Sequence, residues 1–304
     1  MTMRVMHFLL LSSLILLAAC SSTPEEPEQT SEAALYHAAE SQLNRSQWET
    51  AIRNLQTLEE NFPFGTYAEQ AQLELIYAYY MSNDPDAAIA TANRFIRLHP
   101  QHRNVDYAYY MMGLSSFNKD KGMFERVLPT DLTMRDPGAA RESLANFSQL
   151  LARYPDSTYA ADAKKRMLYL RNLLARYEIH AANYYFKRGA YLAATARGRY
   201  VLENYPKTPA IPDALAVMVQ GYKELGMNDA AEQMLGILRT NYPNHPVLDK
   251  NGQFDERYSY GDDEERSWIS IITFGLFDKR DPPGFDTRHI YNPMYKDAKR
   301  PNNS

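Results

Sequence analysis

Five times along this chain an amphipathic stretch is closed by a bulky residue and a proline: Phe62-Pro63, His99-Pro100, Tyr154-Pro155, Tyr205-Pro206 and Tyr242-Pro243. Proline has no N–H to donate and drives the residue before it out of the α region, so each pair marks the end of a helix. Twelve positions before each proline stands a small residue, Ala51, Ala88, Ser143, Ala194 or Ala231, and four positions later come Leu55, Ala92, Phe147, Gly198 and Leu235. Residues four apart share one helical face, so every unit offers a face on which a neighbouring helix can come close. An earlier helix precedes each of these, carrying Leu35 and Ala39, Tyr79-Tyr80, Tyr109 and Gly113, Tyr185-Phe186, and Leu215 with Tyr222. Asn83-Asp84-Pro85, Gly189 and Gly226-Met227-Asn228 supply turns between the paired helices.

The pattern resembles the tetratricopeptide repeat, a helix-turn-helix unit of about 34 residues whose small residues admit the partner helix. The expected fold is all-α: a tetratricopeptide-like repeat solenoid of about five helix-turn-helix units with a C-terminal capping segment. The prolines lie 37, 55, 51 and 37 residues apart, and the two long spacings mark departures. Residues 119–138 read as an irregular excursion inside the third unit. Ser157-Thr158 reads as an N-cap, and residues 159 to about 187, free of Gly and Pro, read as one long helix. The repeats are placed at about 32–63, 69–100, 106–155, 175–206 and 212–243, with 156–174 as helical extension. Beyond them, 244–304 is a C-terminal extension. In it Trp268, Ile271, Ile272 and Leu276 form a helical stripe over about 263–277 that caps the last repeat. Disorder is expected from Pro282 to Ser304.

Cys20 is the only cysteine, which excludes an internal disulfide, a CxxC redox pair and a multi-cysteine zinc site. It ends a signal-like segment, 1–19, in which Arg4 and His7 precede a nearly unbroken apolar run from Phe8 to Leu17, too short to span a bilayer. Leu17-Ala18-Ala19-Cys20 resembles the bacterial lipobox, which implies an N-acyl and S-diacylglycerol group on Cys20, and Ser21 implies sorting to the outer membrane. Residues 20–31, with Pro24, Glu25, Glu26, Pro27 and Glu28, read as a flexible tether to a periplasmic body.

The formal charge of −4 becomes about −5 without Arg4 and gives no field to draw nucleic acid. No phosphate loop, dinucleotide fingerprint, nucleophile elbow or HExxH is present. His99 and His102 flank Pro100 without an acid at metal-ligand spacing, and Glu59-Glu60 and Asp262-Asp263 read as solvated. The expectation is a binding protein with no catalytic residue, no metal and no cofactor other than the lipid. The 23 tyrosines stand out, clustered at 77, 79 and 80, at 107, 109 and 110, and at 184 and 185. Adjacent positions on one helix cannot all face inward, so part of each cluster is left for binding.

The strings Phe62-Pro63-Phe64-Gly65, Leu75-Ile76-Tyr77-Ala78-Tyr79-Tyr80, Arg94-Phe95-Ile96-Arg97-Leu98-His99-Pro100 and Arg135-Asp136-Pro137 resemble the BamD (ComL) family of outer-membrane lipoproteins over roughly residues 30–243. The resemblance implies a non-enzymatic part in assembling and inserting β-barrel proteins, beside a BamA-like barrel protein and accessory assembly lipoproteins. It also implies that N-terminal repeats receive the C-terminal signals of unfolded outer-membrane proteins and that C-terminal repeats dock the barrel partner. Tyr77, Tyr80, Arg94, Arg97 and Tyr107 are assigned to the substrate groove. Arg197 and Arg199 are assigned to partner docking, because their helix carries no acid nearer than Glu203. A periplasmic adaptor for peptidoglycan enzymes and a competence-related lipoprotein are the alternatives.

Overall fold

The structure, a computed structural model, describes residues 31–119, 131–255 and 284–288 of the chain. Among these residues are ten α-helices: α1 (Glu32–Asn44), α2 (Trp48–Asn61), α3 (Ala68–Met81), α4 (Pro85–Leu98), α5 (Val105–Asn118), α6 (Gly138–Arg153), α7 (Ala160–Lys187), α8 (Tyr191–Asn204), α9 (Ile211–Glu224) and α10 (Asn228–Asn241). A short 3₁₀ turn, Leu132–Met134, precedes α6. The chain divides into two compact units between Gln72 and Leu73. In the first, α1 packs on α2. In the second, α4 to α10 pack each on the next, and α9 also reaches back to α7. This is the helix-turn-helix packing of a tetratricopeptide-like fold.

The helix ends follow one rule. Phe62, His99, Tyr154, Tyr205 and Tyr242 all leave the helix at φ between −137° and −124° and ψ between 48° and 64°. That is the extended geometry a following proline demands. Each still donates its N–H to the carbonyl four residues back, on Leu58, Phe95, Leu150, Val201 and Leu238. All five of those residues are completely buried. The bulky residue therefore closes the last helical hydrogen bond, and the proline makes a further one impossible. Turns inside the units are as regular: Ser46, Asn83, Gly189 and Gly226, each seventeen positions before its proline, have positive φ. In the third unit the corresponding residue is Gly138, which opens α6 instead because the inserted segment intervenes.

Small residues set the helix spacing. Ala51, Ala88, Ser143 and Ala194 have no exposed surface. A Cβ built on Gly198 of α8 lies 2.8 Å from the Ala214 carbonyl oxygen of α9, and one on Gly113 of α5 lies 2.5 Å from the Phe147 ring of α6. Ser143 also donates its hydroxyl to the Gly113 carbonyl at 2.8 Å. The stretch without Gly or Pro is a single helix of 28 residues, α7. Its start differs from the expected Ser157-Thr158 cap. The cap position is Tyr159, and Ser157 accepts from the Tyr159 N–H while its own hydroxyl donates to Asp106, so the serine is used to tie α5 to the loop.

Cys20 with the signal and tether, residues 120–130 of the excursion, and the helix expected over 263–277 lie outside the described residues. No described helix is long and apolar enough to cross a membrane. After α10 an isolated antiparallel bridge pairs Leu248 with Phe254. The expectation of disorder from Pro282 onward is corrected for five residues. Phe285, Asp286 and Thr287 are buried, because an aromatic side chain and two polar ones find complementary partners on α7 and α9. Nothing in the composition of 282–304 announces those partners, which are 74 to 106 positions away in sequence.

Gly198→Ala places a methyl group against backbone that cannot yield as a side-chain end does. A loss of about 1–3 kcal/mol in unfolding free energy is expected from such overpacking, read by urea denaturation followed by circular dichroism. Gly236→Ala, where a Cβ meets nothing within 4 Å, serves as the control and is expected to be neutral or slightly stabilising.

Candidate functional site

First helices of the second unit carry a run of tyrosines. Tyr77 on α3 is 38% exposed, while Tyr80 and Tyr107 are partly buried against the core. Burial pushes the Tyr107 phenol well above its ordinary value, and the neighbouring Tyr159, Tyr77 and Glu74 push it further. Tyr77 is thus near enough to Tyr107 to contribute to that rise. Tyr107 lies 5.7 Å from Tyr159 between ring centroids, and Tyr159 stacks on Tyr110 at 4.7 Å and 18°. Tyr110 donates its hydroxyl to Asp162 at 2.7 Å, and Arg166 donates to the same carboxylate at 2.5 Å. Burial and that acceptor hold the Tyr110 phenol up to about 12. Tyr107 and Tyr110 thus remain neutral hydroxyls through the physiological range. The face presents flat apolar rings with hydrogen-bonding edges, a chemistry suited to contact with an extended peptide.

Tyr159 joins this face without having been marked by its immediate sequence. Tyr159 occupies the fourth position after Pro155, as Tyr67 does after Pro63, and Tyr67 likewise stacks on Tyr36 at 4.5 Å in the first unit. The repeat offset was the signal. Phe64, between Pro63 and Gly65 in that first unit, is 99% exposed. Arg94 and Arg97 are exposed on α4, the second helix of their repeat.

The arginines assigned to partner docking have separate surroundings. Arg197 on α8 donates to Glu178 of α7 at 2.8 Å, and its guanidinium lies 5.6 Å from the centre of the Tyr185 ring. The premise that only Glu203 could neutralise Arg197 is therefore corrected: the acid comes from the neighbouring helix, where sequence distance hides it. Glu178, 1% exposed, also accepts from Arg141 of α6 at 3.1 Å, so one carboxylate joins three consecutive helices. Arg199 donates to the Tyr222 hydroxyl of α9 at 2.7 Å. It shares with Leu192, Ala196, Tyr200 and Glu203 an exposed stripe at helical spacing along α8. His99 and His102 pack on Phe95 with centroids 5.1 and 5.2 Å away, and His102 Nδ1 accepts from the Asn104 N–H. Both rings serve the loop.

A second polar constellation sits deeper. Arg176 of α7 pairs with Asp213 of α9, whose other oxygen meets His245 at 3.0 Å. Asp286 from the tail takes Arg176 at 3.1 Å, His180 at 2.9 Å and Arg288 at 2.7 Å, and Arg288 reaches Asp131 at 2.7 Å. Burial alone raises the Asp286 carboxyl, but the His180 hydrogen bond and the charges of Arg176 and Arg288 overcome it and hold the group well below the usual range. Asp131 is likewise depressed: against burial stand the hydrogen bonds from Arg288 and Thr133 and the charge of Arg288.

Among the described residues the chain is an all-helical, tetratricopeptide-like repeat protein that carries a partly exposed aromatic face. Residues 28–236 match the family model YfiO, described as outer membrane lipoprotein. Relatives named outer membrane protein assembly factor BamD include one from Vibrio cholerae, 38% identical over 231 residues, which are 76% of this chain and 96% of that protein. Another, from Neisseria meningitidis, is 40% identical over 73% of this chain and 83% of its own length. A third, from Xylella fastidiosa, is 40% identical over 70% and 73%. The chain belongs to the YfiO family of outer membrane lipoproteins, which places it at the outer membrane.

Glu178→Ala leaves two guanidinium groups without their shared acceptor. Because both arginines are more than a third exposed, the expected cost is about 2 kcal/mol, below the 3–5 typical of fully buried pairs, measured by urea unfolding. The depressed carboxyls set an acid limit. Their contribution is complete above the unfolded value near pH ~4 and is lost as pH falls below it toward the lower folded values. Melting temperature is expected to hold from about pH 7 to 5 and fall below about pH 4, with a smaller fall in Asp286→Asn.

Proposed function

We propose that this chain is a lipid-anchored, periplasm-facing scaffold that receives unfolded outer-membrane proteins and helps assemble and insert them as β-barrels, without catalysing a reaction. One observation carries the reading: relatives named for outer membrane protein assembly align with 70–76% of the chain at 38–40% identity. The anchor is the N-acyl, S-diacylglycerol group on Cys20. Three acyl chains exceed the two signals needed for stable attachment.

The substrate-receiving face is assigned to Tyr77, Tyr80 and Tyr107, with Arg94 and Arg97 as the cationic residues that meet a carboxylate. A C-terminal signal alternating aromatic and polar residues suits phenol rings that offer an apolar face and a hydroxyl. Docking of a BamA-like barrel protein, with accessory assembly lipoproteins beside it, is assigned to the α8 side. Arg199 and its exposed neighbours Leu192 and Tyr200 offer the mixed apolar and cationic stripe that favours an interface. Arg197, tied to Glu178, acts there mainly by holding α8 in place. Neither a peptidoglycan adaptor nor a DNA-uptake component draws support from the relatives.

Affinity isolation from membranes in mild detergent, with mass spectrometry, tests the role. A large barrel protein with periplasmic domains is expected with the intact chain and is expected to be lost or reduced with Cys20→Ala. Recovery of cell-wall enzymes without such a barrel protein sinks the assembly reading. For the receiving face, Tyr77→Ala is expected to weaken binding of a synthetic peptide ending in an aromatic residue and a free carboxylate by about 5- to 30-fold, the scale of an interface tyrosine worth 1–2 kcal/mol. Its melting temperature should stay unchanged. Equal peptide affinity would remove Tyr77 from the site.

A further inference from the structure

Residues 284–288 lie beyond position 236, where the family match ends, and 28 residues separate them from Asp255 in the chain. They nevertheless fill a slot made almost wholly by residues inside the matched region. Along α7, Arg176, His180 and Asn183 stand at positions i, i+4 and i+7 and form one ridge. Each tail residue is met by a different chemistry. The Phe285 ring is completely buried with its centroid 5.6 Å from that of Phe186, and its N–H donates to Asn183 Oδ1 at 3.3 Å. Asp286 lands between Arg176 and His180. Thr287 donates its hydroxyl to Asp213 at 3.1 Å and directs its N–H to the same oxygen at 3.4 Å. Arg288 forks onto Asp131 with Nη1 and Nη2 at 3.2 and 2.7 Å.

Packing inside a helical stack selects by shape and apolar volume. Here four successive side chains are read in order as aromatic, carboxylate, hydroxyl and guanidinium, and two backbone N–H groups are bound by side-chain acceptors. That is how a protein recognises a short peptide: an aromatic anchor in a pocket, a charge-assisted fork beside it, and backbone contacts that fix direction. The receptor half sits on α7, α9 and the loop before α6, and the ligand half is an appended segment.

We propose that the slot between α7 and α9 is a peptide-binding site for short extended segments in which an aromatic residue is followed by an aspartate, and that residues 284–288 are its built-in ligand, displaceable by a segment of the same chemistry from another polypeptide. The proposal rests on the docked tail and is independent of the part the chain plays in barrel assembly. With the tail seated, Asp286 covers Arg176 and His180. With it displaced, the site accepts an aromatic-acidic segment in trans, at an apparent affinity lowered by competition from the tethered copy.

The test uses the whole chain carrying a specific-protease site between Asp255 and Gly284, cleaved after purification, and a labelled synthetic peptide with the sequence of residues 283–289. Fluorescence anisotropy reports binding, and circular dichroism reports the helices. The expected result is intact helical signal after cleavage and saturable exchange of the peptide into the site, with at least tenfold weaker binding to the uncleaved chain. In the peptide, Phe285→Ala is expected to cost about 100-fold or more, the scale of removing a buried phenyl ring. Asp286→Asn is expected to cost about tenfold or more, for the lost charge-assisted bonds. Collapse of the helical signal on cleavage would overturn the proposal, because the tail would then be part of the core. So would a tail fragment that neither leaves nor exchanges, absence of peptide binding, or equal binding of all three peptides.

Discussion

How closely two helices may approach governs nearly everything in this protein. At Gly198 the α8 backbone comes so near the Ala214 carbonyl of α9 that a single methyl group has no room, and at Ala51, Ala88, Ser143 and Ala194 the side chain is already fully enclosed. Interiors at this density do not absorb an added carbon without moving a neighbour. The helices must also stop where their neighbours turn. The pairing of a bulky residue with proline ends each second helix in one narrow range of backbone angles while leaving its last hydrogen bond in place. Spacing and length are thus set by two local devices repeated along the chain.

On that apolar frame the second unit carries a set of buried charges that choose between possible neighbours. Glu178 holds arginines from the helices before and after its own, and Asp213 gathers Arg176, His245 and Thr287. Such groups are costly to bury singly and add little net stability even when paired. Their effect is to make wrong arrangements worse, because any slip of one helix past another strands a charge away from water. The extended first helix, α7, is where this matters most, since it touches α6, α8, α9, the 3₁₀ turn and the tail.

The aromatic face follows the opposite logic. Burial keeps Tyr107 and Tyr110 uncharged, and two rings stack on one another at Tyr110 and Tyr159. Rings packed in this way are already held in place and lose little conformational freedom on meeting another surface. The tail slot is instead specific, with one partner for each side chain. The two surfaces thus differ in kind: one offers aromatic rings in common, the other a separate partner for each side chain.

Local and periodic features were legible in the sequence because they depend on neighbours in the chain. The proline spacing gave five helix pairs, the small residues twelve positions before each proline marked close contacts, and the missing Gly and Pro over 159–187 gave the single long α7. The lone cysteine and the lipobox-like Leu17-Ala18-Ala19-Cys20 stand in the sequence itself. What lies far apart in the chain was decided only by tertiary structure. Arg197 finds its acid on the preceding helix at Glu178, Tyr107 meets Tyr159 across an insertion, and Asp286 finds Arg176 and His180 more than a hundred positions upstream. Helical and turn preferences act over a few residues through the backbone. Which charge is buried beside which depends on the register of packed helices, and no short-range rule encodes it.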